Sequence, residues 1–135
     1  MKSSIDIQDD VYKELIHSAL KTKGKITGEF KKAHRPANSD KEDVVISTLA
    51  NNVAQKQEAF VTVNIYVKDN LVNGQHEEDD ARLRELCQLC FEVLGSIRGK
   101  DYRISFAPDS GQTIIDTEQG EHVISNKLLY QIINE

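Results

Sequence analysis

Hydrophobic positions switch between two periods along the chain, and the switches divide it into elements. Ile7, Val11, Leu15, Ile16, Ala19 and Leu20 recur at helical spacing, which predicts an amphipathic helix over residues 7–20. Asp9 and Asp10 lie early in it and Lys21 and Lys23 follow late, as the helix dipole favours, and Gly24 supplies a stop. Residues 26–32 can begin an extended segment before the turn-rich string Arg35-Pro36-Ala37-Asn38-Ser39-Asp40, the expected tip of a long connection. The β-branched run Val44, Val45 and Ile46 predicts a strand over 43–49, and a polar stretch follows over 51–58. Alternation is clearest over 59–68, where Val61, Val63, Ile65 and Val67 point one way and Thr62, Asn64 and Tyr66 the other.

Asp69-Asn70 and Asn73-Gly74 mark a loop, and the acidic run 75–80 leads into a second helix over 79–97. Leu83, Leu86, Cys87, Cys90, Phe91, Leu94 and Ile97 form its apolar stripe, and Gly99 is the expected end. Burying such side chains contributes about 1.5 to 3 kcal/mol each, so this helix must dock on the sheet. Tyr102, Ile104 and Phe106 alternate with Arg103, Ser105 and Ala107, and Pro108-Asp109-Ser110-Gly111 makes a turn. Strands over 113–117 and 123–133 flank a further turn at Glu118-Gln119-Gly120. The last carries Leu128, Tyr130 and Ile132 on one face and Leu129 and Ile133 on the other, which suits a strand covered on both sides or one used in assembly. The expected fold class is α+β: a single domain over residues 1–135, with a mostly antiparallel sheet backed by two amphipathic helices.

Composition narrows the function. A chain of 135 residues can bury one core without disulfides or metals as staples. An aromatic content of 6% with no Trp argues against a large aromatic ligand pocket. The net charge of -5 opposes polyanion binding by counterion release, although residues 21–32 hold a local basic group. No apolar run approaches the roughly 18 to 20 residues that cross a bilayer, and the first ten residues lack the apolar stretch of a signal peptide. The expectation is a cytoplasmic protein with no membrane partner.

Candidate chemistry is sparse. Cys87-Gln88-Leu89-Cys90 matches CxxC by letter, but a helix N-terminus is what activates such a thiol, and here two predicted turns precede it. Both cysteines are expected reduced, as packing residues on one helix face. His76-Glu77-Glu78-Asp79-Asp80 is rich in ligand atoms, yet consecutive residues do not converge on one ion, and helix capping explains the run. His17, His34, His76 and His122 lie far apart without a nucleophile partner, Asp109-Ser110-Gly111 is not a G-x-S-x-G elbow, and no P-loop spacing occurs. The expectation is no enzyme, no cofactor and no metal.

The string over 35–43 is the most distinctive in the chain. It reads either as a solvated loop of mixed charge or as an inter-subunit contact, with Arg35 and Lys41 of one copy meeting Glu42 or Asp43 of a neighbour. As such a contact, Arg35→Glu would spare folding and impair assembly.

A first helix, then Ile26-Thr27-Gly28-Glu29-Phe30 leading into Arg35-Pro36-Ala37-Asn38-Ser39, then Glu42-Asp43-Val44-Val45-Ile46, the strand 61–67 and a helix over 82–97 form an order of elements. That order resembles the tail-terminator, or tail-completion, proteins of long-tailed bacteriophages. The resemblance implies a small α+β subunit in a homo-oligomeric ring, typically of six copies, located in the virion tail after assembly in the bacterial cytoplasm. Its partners would be the tail-tube protein and the head-tail connector, with DNA passing through the channel without specific binding. The acidic balance suits such passage, and the polar connections over 33–42 and 51–58 could reach neighbours. A ring contact needs two different complementary patches on each subunit. A monomeric small-molecule or protein binding module with a similar helix-backed sheet is the alternative.

Overall fold

Ser3 opens the first helix with a reciprocal cap: its Oγ accepts the N–H of Asp6, and the Asp6 carboxylate accepts the N–H of Ser3. The helix, α1 (Ser4–Ile16), buries Ile7, Val11 and Leu15. The computed structural model describes residues 1–109 and 111–133, so the expected turn residue Ser110 lies outside it. The continuous helix expected to residue 20 is broken at Ser18. Its Oγ donates to the carbonyl of Leu15 at 2.7 Å and accepts the N–H of Leu20, ending α1 and capping a short α2 (Ala19–Lys23).

Three strands follow: β1 (Phe30–Lys32), β2 (Val44–Asn52) and β3 (Glu58–Lys68). The hairpin of β2 and β3 stays paired out to Asn52 and Glu58, so of the polar stretch expected over 51–58 residues 53–57 form the connecting loop and the rest are strand ends. The loop expected next is a hairpin, β4 (Asn70–Val72) with β5 (Gln75–Glu77). Its turn residues Asn73 and Gly74 both take positive φ, 50° and 79°, as a two-residue turn requires.

Asp79 caps α3 (Asp80–Leu94) by accepting the N–H of Arg82. The helix ends at Gly95, earlier than Gly99, and Ile97 belongs instead to β6 (Ile97–Arg98). Then come β7 (Tyr102–Phe106), β8 (Gln112–Asp116) and β9 (Glu121–Ile132). The main sheet has the order β1-β2-β3-β9-β7-β6, with β8 also on β9, and only β1–β2 is parallel. The chain is thus α+β with a mostly antiparallel, curled sheet, as its periodicity predicts.

One face of the sheet is covered by helices. Ladder rows such as Val44, Ile65, Ile124 and Ile46, Val63, Asn126 place fully buried side chains side by side beneath α1 and α3. Asn126 is the one polar residue of these six, and it is satisfied. Its Nδ2 donates to the carbonyl of Val63 at 3.0 Å, and its Oδ1 accepts Gln112 Nε2 at 2.9 Å. The opposite face carries Phe60, Thr62, Asn64, Tyr66, Lys127 and Leu129, all half-buried, with no helix over them.

Candidate functional site

The connection over 33–43 leaves β1, loops out and returns to β2, and the period of two at its return decides what it touches. Asp43 and Glu42 are consecutive, so they point to opposite faces of the sheet. Asp43 turns toward the open face and is almost fully buried, at 1% exposure. Its Oδ2 accepts Arg35 Nε at 2.8 Å and its Oδ1 accepts the N–H of Glu29 at 3.0 Å. Burial works against its charge, yet hydrogen bonds from Ser39, Arg35 and Glu29 outweigh it and hold the carboxyl below the ordinary range.

Arg35 is the hub. Beyond Asp43 it donates to Glu121 Oε1 at 2.7 Å and to the carbonyl of Lys41 at 2.9 Å, and its guanidinium lies 4.1 Å from the centre of the Tyr66 ring. The loop is therefore folded over one end of the open face and tied to β9.

Glu42 turns the other way. It receives Arg82 of α3 through two hydrogen bonds of 2.7 Å, a paired-fork geometry, and Arg82 also donates to the carbonyl of Gly24 at 2.6 Å and to Glu85. Gly28 makes this packing possible: a Cβ there would lie 2.3 Å from both Asp43 Oδ1 and the carbonyl of Glu42.

Arg35, Glu42 and Asp43, the residues expected at an inter-subunit contact, have their side chains paired within their own chain here. The physical reason is burial. An Asp at this exposure needs its cation built in, because an unpaired buried carboxylate is strongly unfavourable. Lys41 is exposed and contributes its carbonyl to Arg35. Arg35→Glu would set a third acid between Asp43 and Glu121, so a loss of stability is expected alongside any loss of assembly.

Two other polar clusters escaped sequence reasoning. Lys2 Nζ meets Asp10 at 2.7 Å, Asp101 at 2.9 Å and the hydroxyl of Tyr130 at 3.1 Å, and it sits 5.1 Å from the ring centre of Tyr102, which stacks on Tyr130. Buried Gln57 grips the Lys2 backbone on both sides, donating to its carbonyl and accepting its N–H. At the base of the β4–β5 hairpin, His122 Nδ1 lies 2.6 Å from the nearly buried Asp69, with Glu78 at 3.9 Å from Nε2. Burial lowers the affinity of His122 for its proton, but the bond to Asp69 and the charges of Asp69, Asp116 and Glu78 prevail and raise it.

The thiols behave as packing groups. Cys90 is fully buried and pushed up to about 12 by burial, while Cys87, half-buried, is also raised by burial. Both are free. Among the described residues no group of three or more His, Cys, Asp and Glu is placed to hold a metal ion, and no helix is long and apolar enough to cross a membrane. The surface depressions are open; one of about 330 Å³ lies beside Arg35, Asn38, Lys68 and Gln119.

Large apolar side chains stand exposed in several places instead. Leu49 and Val53 lie toward the tip of the β2–β3 hairpin, Leu71 and Val72 on the β4–β5 hairpin, and Ile114 and Ile115 on β8, while Ile5 of α1 and Phe91 of α3, expected in the buried stripe, are also exposed. No protein-family model matches the sequence, and no curated protein matches it.

Proposed function

We propose that the chain is a structural, non-catalytic subunit of a bacteriophage or prophage tail, of the tail-terminator type. In this reading copies close into a ring, typically of six, that caps the tail tube and joins it to the head connector in the virion. The observation that carries the reading is a division of the surface. Charged groups such as Arg35, Asp43, Glu42 and Arg82 are engaged in pairs inside the chain, whereas most of the exposed apolar side chains sit on hairpins and on a strand edge, with Ile5 and Phe91 on helices. Hairpins and edges are where a sheet protein meets other chains. The order of elements shared with tail terminators adds to it, and the acidic balance suits a channel that DNA must pass without sticking.

Light scattering and electron microscopy of the purified protein, alone and with tail-tube protein, test the proposal. The expected outcome is a ring, free or seated on tube ends. A strict monomer that ignores tube ends at every concentration would overturn it and favour a monomeric binding module.

A further inference from the structure

We propose that neighbouring copies join head to tail, the outer edge of β8 in one copy pairing with the outer edge of β1 in the next. This assignment rests on the ring reading and names the two unlike patches that a ring requires.

The ladder registers carry the inference. Phe30 pairs with Val44, Val44 with Ile65, Ile65 with Ile124, and Ile124 with Ile114, so one row runs from β1 to β8. Lys32, Ile46, Val63, Asn126 and Gln112 make the next such row. The two edges therefore stand at the same height. β1 runs parallel to β2, and the three antiparallel pairings from β2 to β8 leave β8 pointing opposite to β1. Copies related by rotation about an axis along the strands would then meet with antiparallel edges in level register, the more stable kind of ladder.

Both edges are bare: among the described residues no strand pairs with the outer side of β1 or of β8, whereas β6 covers β7. β8 has neither Pro nor Lys, and Ile114 and Ile115, on opposite faces, are 48% and 50% exposed. An edge of this composition is unprotected against strand addition.

Charge selects the partner edge. Exposed Asp116 ends β8 and exposed Glu118 follows it in the turn, and Glu78 and Asp80 lie beside Ile114. Around β1 stand exposed Lys31 and Lys32, with Lys21 Nζ 5.2 Å from the Phe30 ring centre. Arg84 near Ile114, and Asp9 bound to Lys32 with exposed Glu29 just before β1, reduce each patch without reversing its sign. Pairing β8 with a second β8 would set acids against acids, and β1 with β1 would set lysines against lysines. Only the unlike pairing is complementary, and a head-to-tail contact of this kind gives a ring where the rotation closes, rather than a two-fold dimer.

A charge swap tests this. One variant carries Asp116→Lys and Glu118→Lys, the other Lys21→Glu and Lys31→Glu; all four positions are exposed, and circular dichroism checks that both proteins fold. By sedimentation velocity, with tube ends present if wild type needs them, each variant alone should associate at least about tenfold more weakly than wild type, about 1.4 kcal/mol per contact. An equimolar mixture should restore assembly larger than a dimer. Wild-type assembly combined with unimpaired variants, or with a mixture that stays monomeric or stops at dimers, would overturn the edge assignment and leave the ring reading standing. A wild type monomeric under all conditions would overturn both.

Discussion

The two faces of the β3–β9 pair are built from alternate residues of the same strands yet are stabilised differently. On the covered face Val61, Val63, Ile65, Ile124 and Leu128 are fully buried under helices. On the open face aromatic rings are capped by cations instead, Arg35 over Tyr66 and Lys127 Nζ 4.8 Å from the Phe60 ring centre. A single layer can therefore present one wet face without a second set of helices. A register slip of one residue would exchange the faces and lose both arrangements.

The largest break in this contrast comes from Val63→Asp, which places an unpaired charge on the covered face. The expected loss is about 4 kcal/mol or more, read by urea denaturation. Asp43→Ala follows, at about 3 to 5 kcal/mol, because Arg35 then keeps a partly buried charge with one acid fewer. If Arg35 and Asp43 act as a unit, Arg35→Met with Asp43→Leu should recover much of that loss. Equal stability of Asp43→Ala and wild type would mean that the open face needs no such tether.

Asn126→Ala tests the one polar position in the covered rows. It takes one partner from Gln112 and one from the carbonyl of Val63, for an expected loss of about 1 to 3 kcal/mol. The smallest effect belongs to His122→Gln, about 1 kcal/mol or less, and it should depend on pH. The imidazole binds its proton more tightly folded than unfolded. Its contribution is thus complete below the ordinary value of 6.5 and lost as pH rises through the raised folded value. Melting temperatures of the two proteins should differ most near about pH 6 and converge toward about pH 9. A constant gap would assign His122 a packing role alone.

Much of this was legible in the order of residues. The alternation from Val61 to Val67 identified the central strand and its inward face, because a strand half covered by helices must repeat every second residue. Leu83, Leu86, Cys90 and Leu94 likewise marked the docked side of α3. The break at Ser18 was missed because helical spacing continues across it, although a Ser that can cap was the available signal. Asn73-Gly74 marks a loop by composition, and the same two letters also specify the tight hairpin that forms. The Arg35 hub was beyond reach: Glu121 lies 86 positions away, and nothing local announces which acid an arginine will find.

The break between β7 and β8 has a mechanical side. From Phe106 to Gln112 the chain inserts residues 107–111, while β9 moves only from Leu128 to Asn126. The N–H of Ala107 and the carbonyl of Gly111 both hold Lys127, pinching the excursion shut at its neck. Tension applied to β8 would unzip its own rungs and then meet this pinch, where the repeat is interrupted. The stacked tyrosines lie on the far side of that pinch, whereas losing Gln112 would take a partner from buried Asn126.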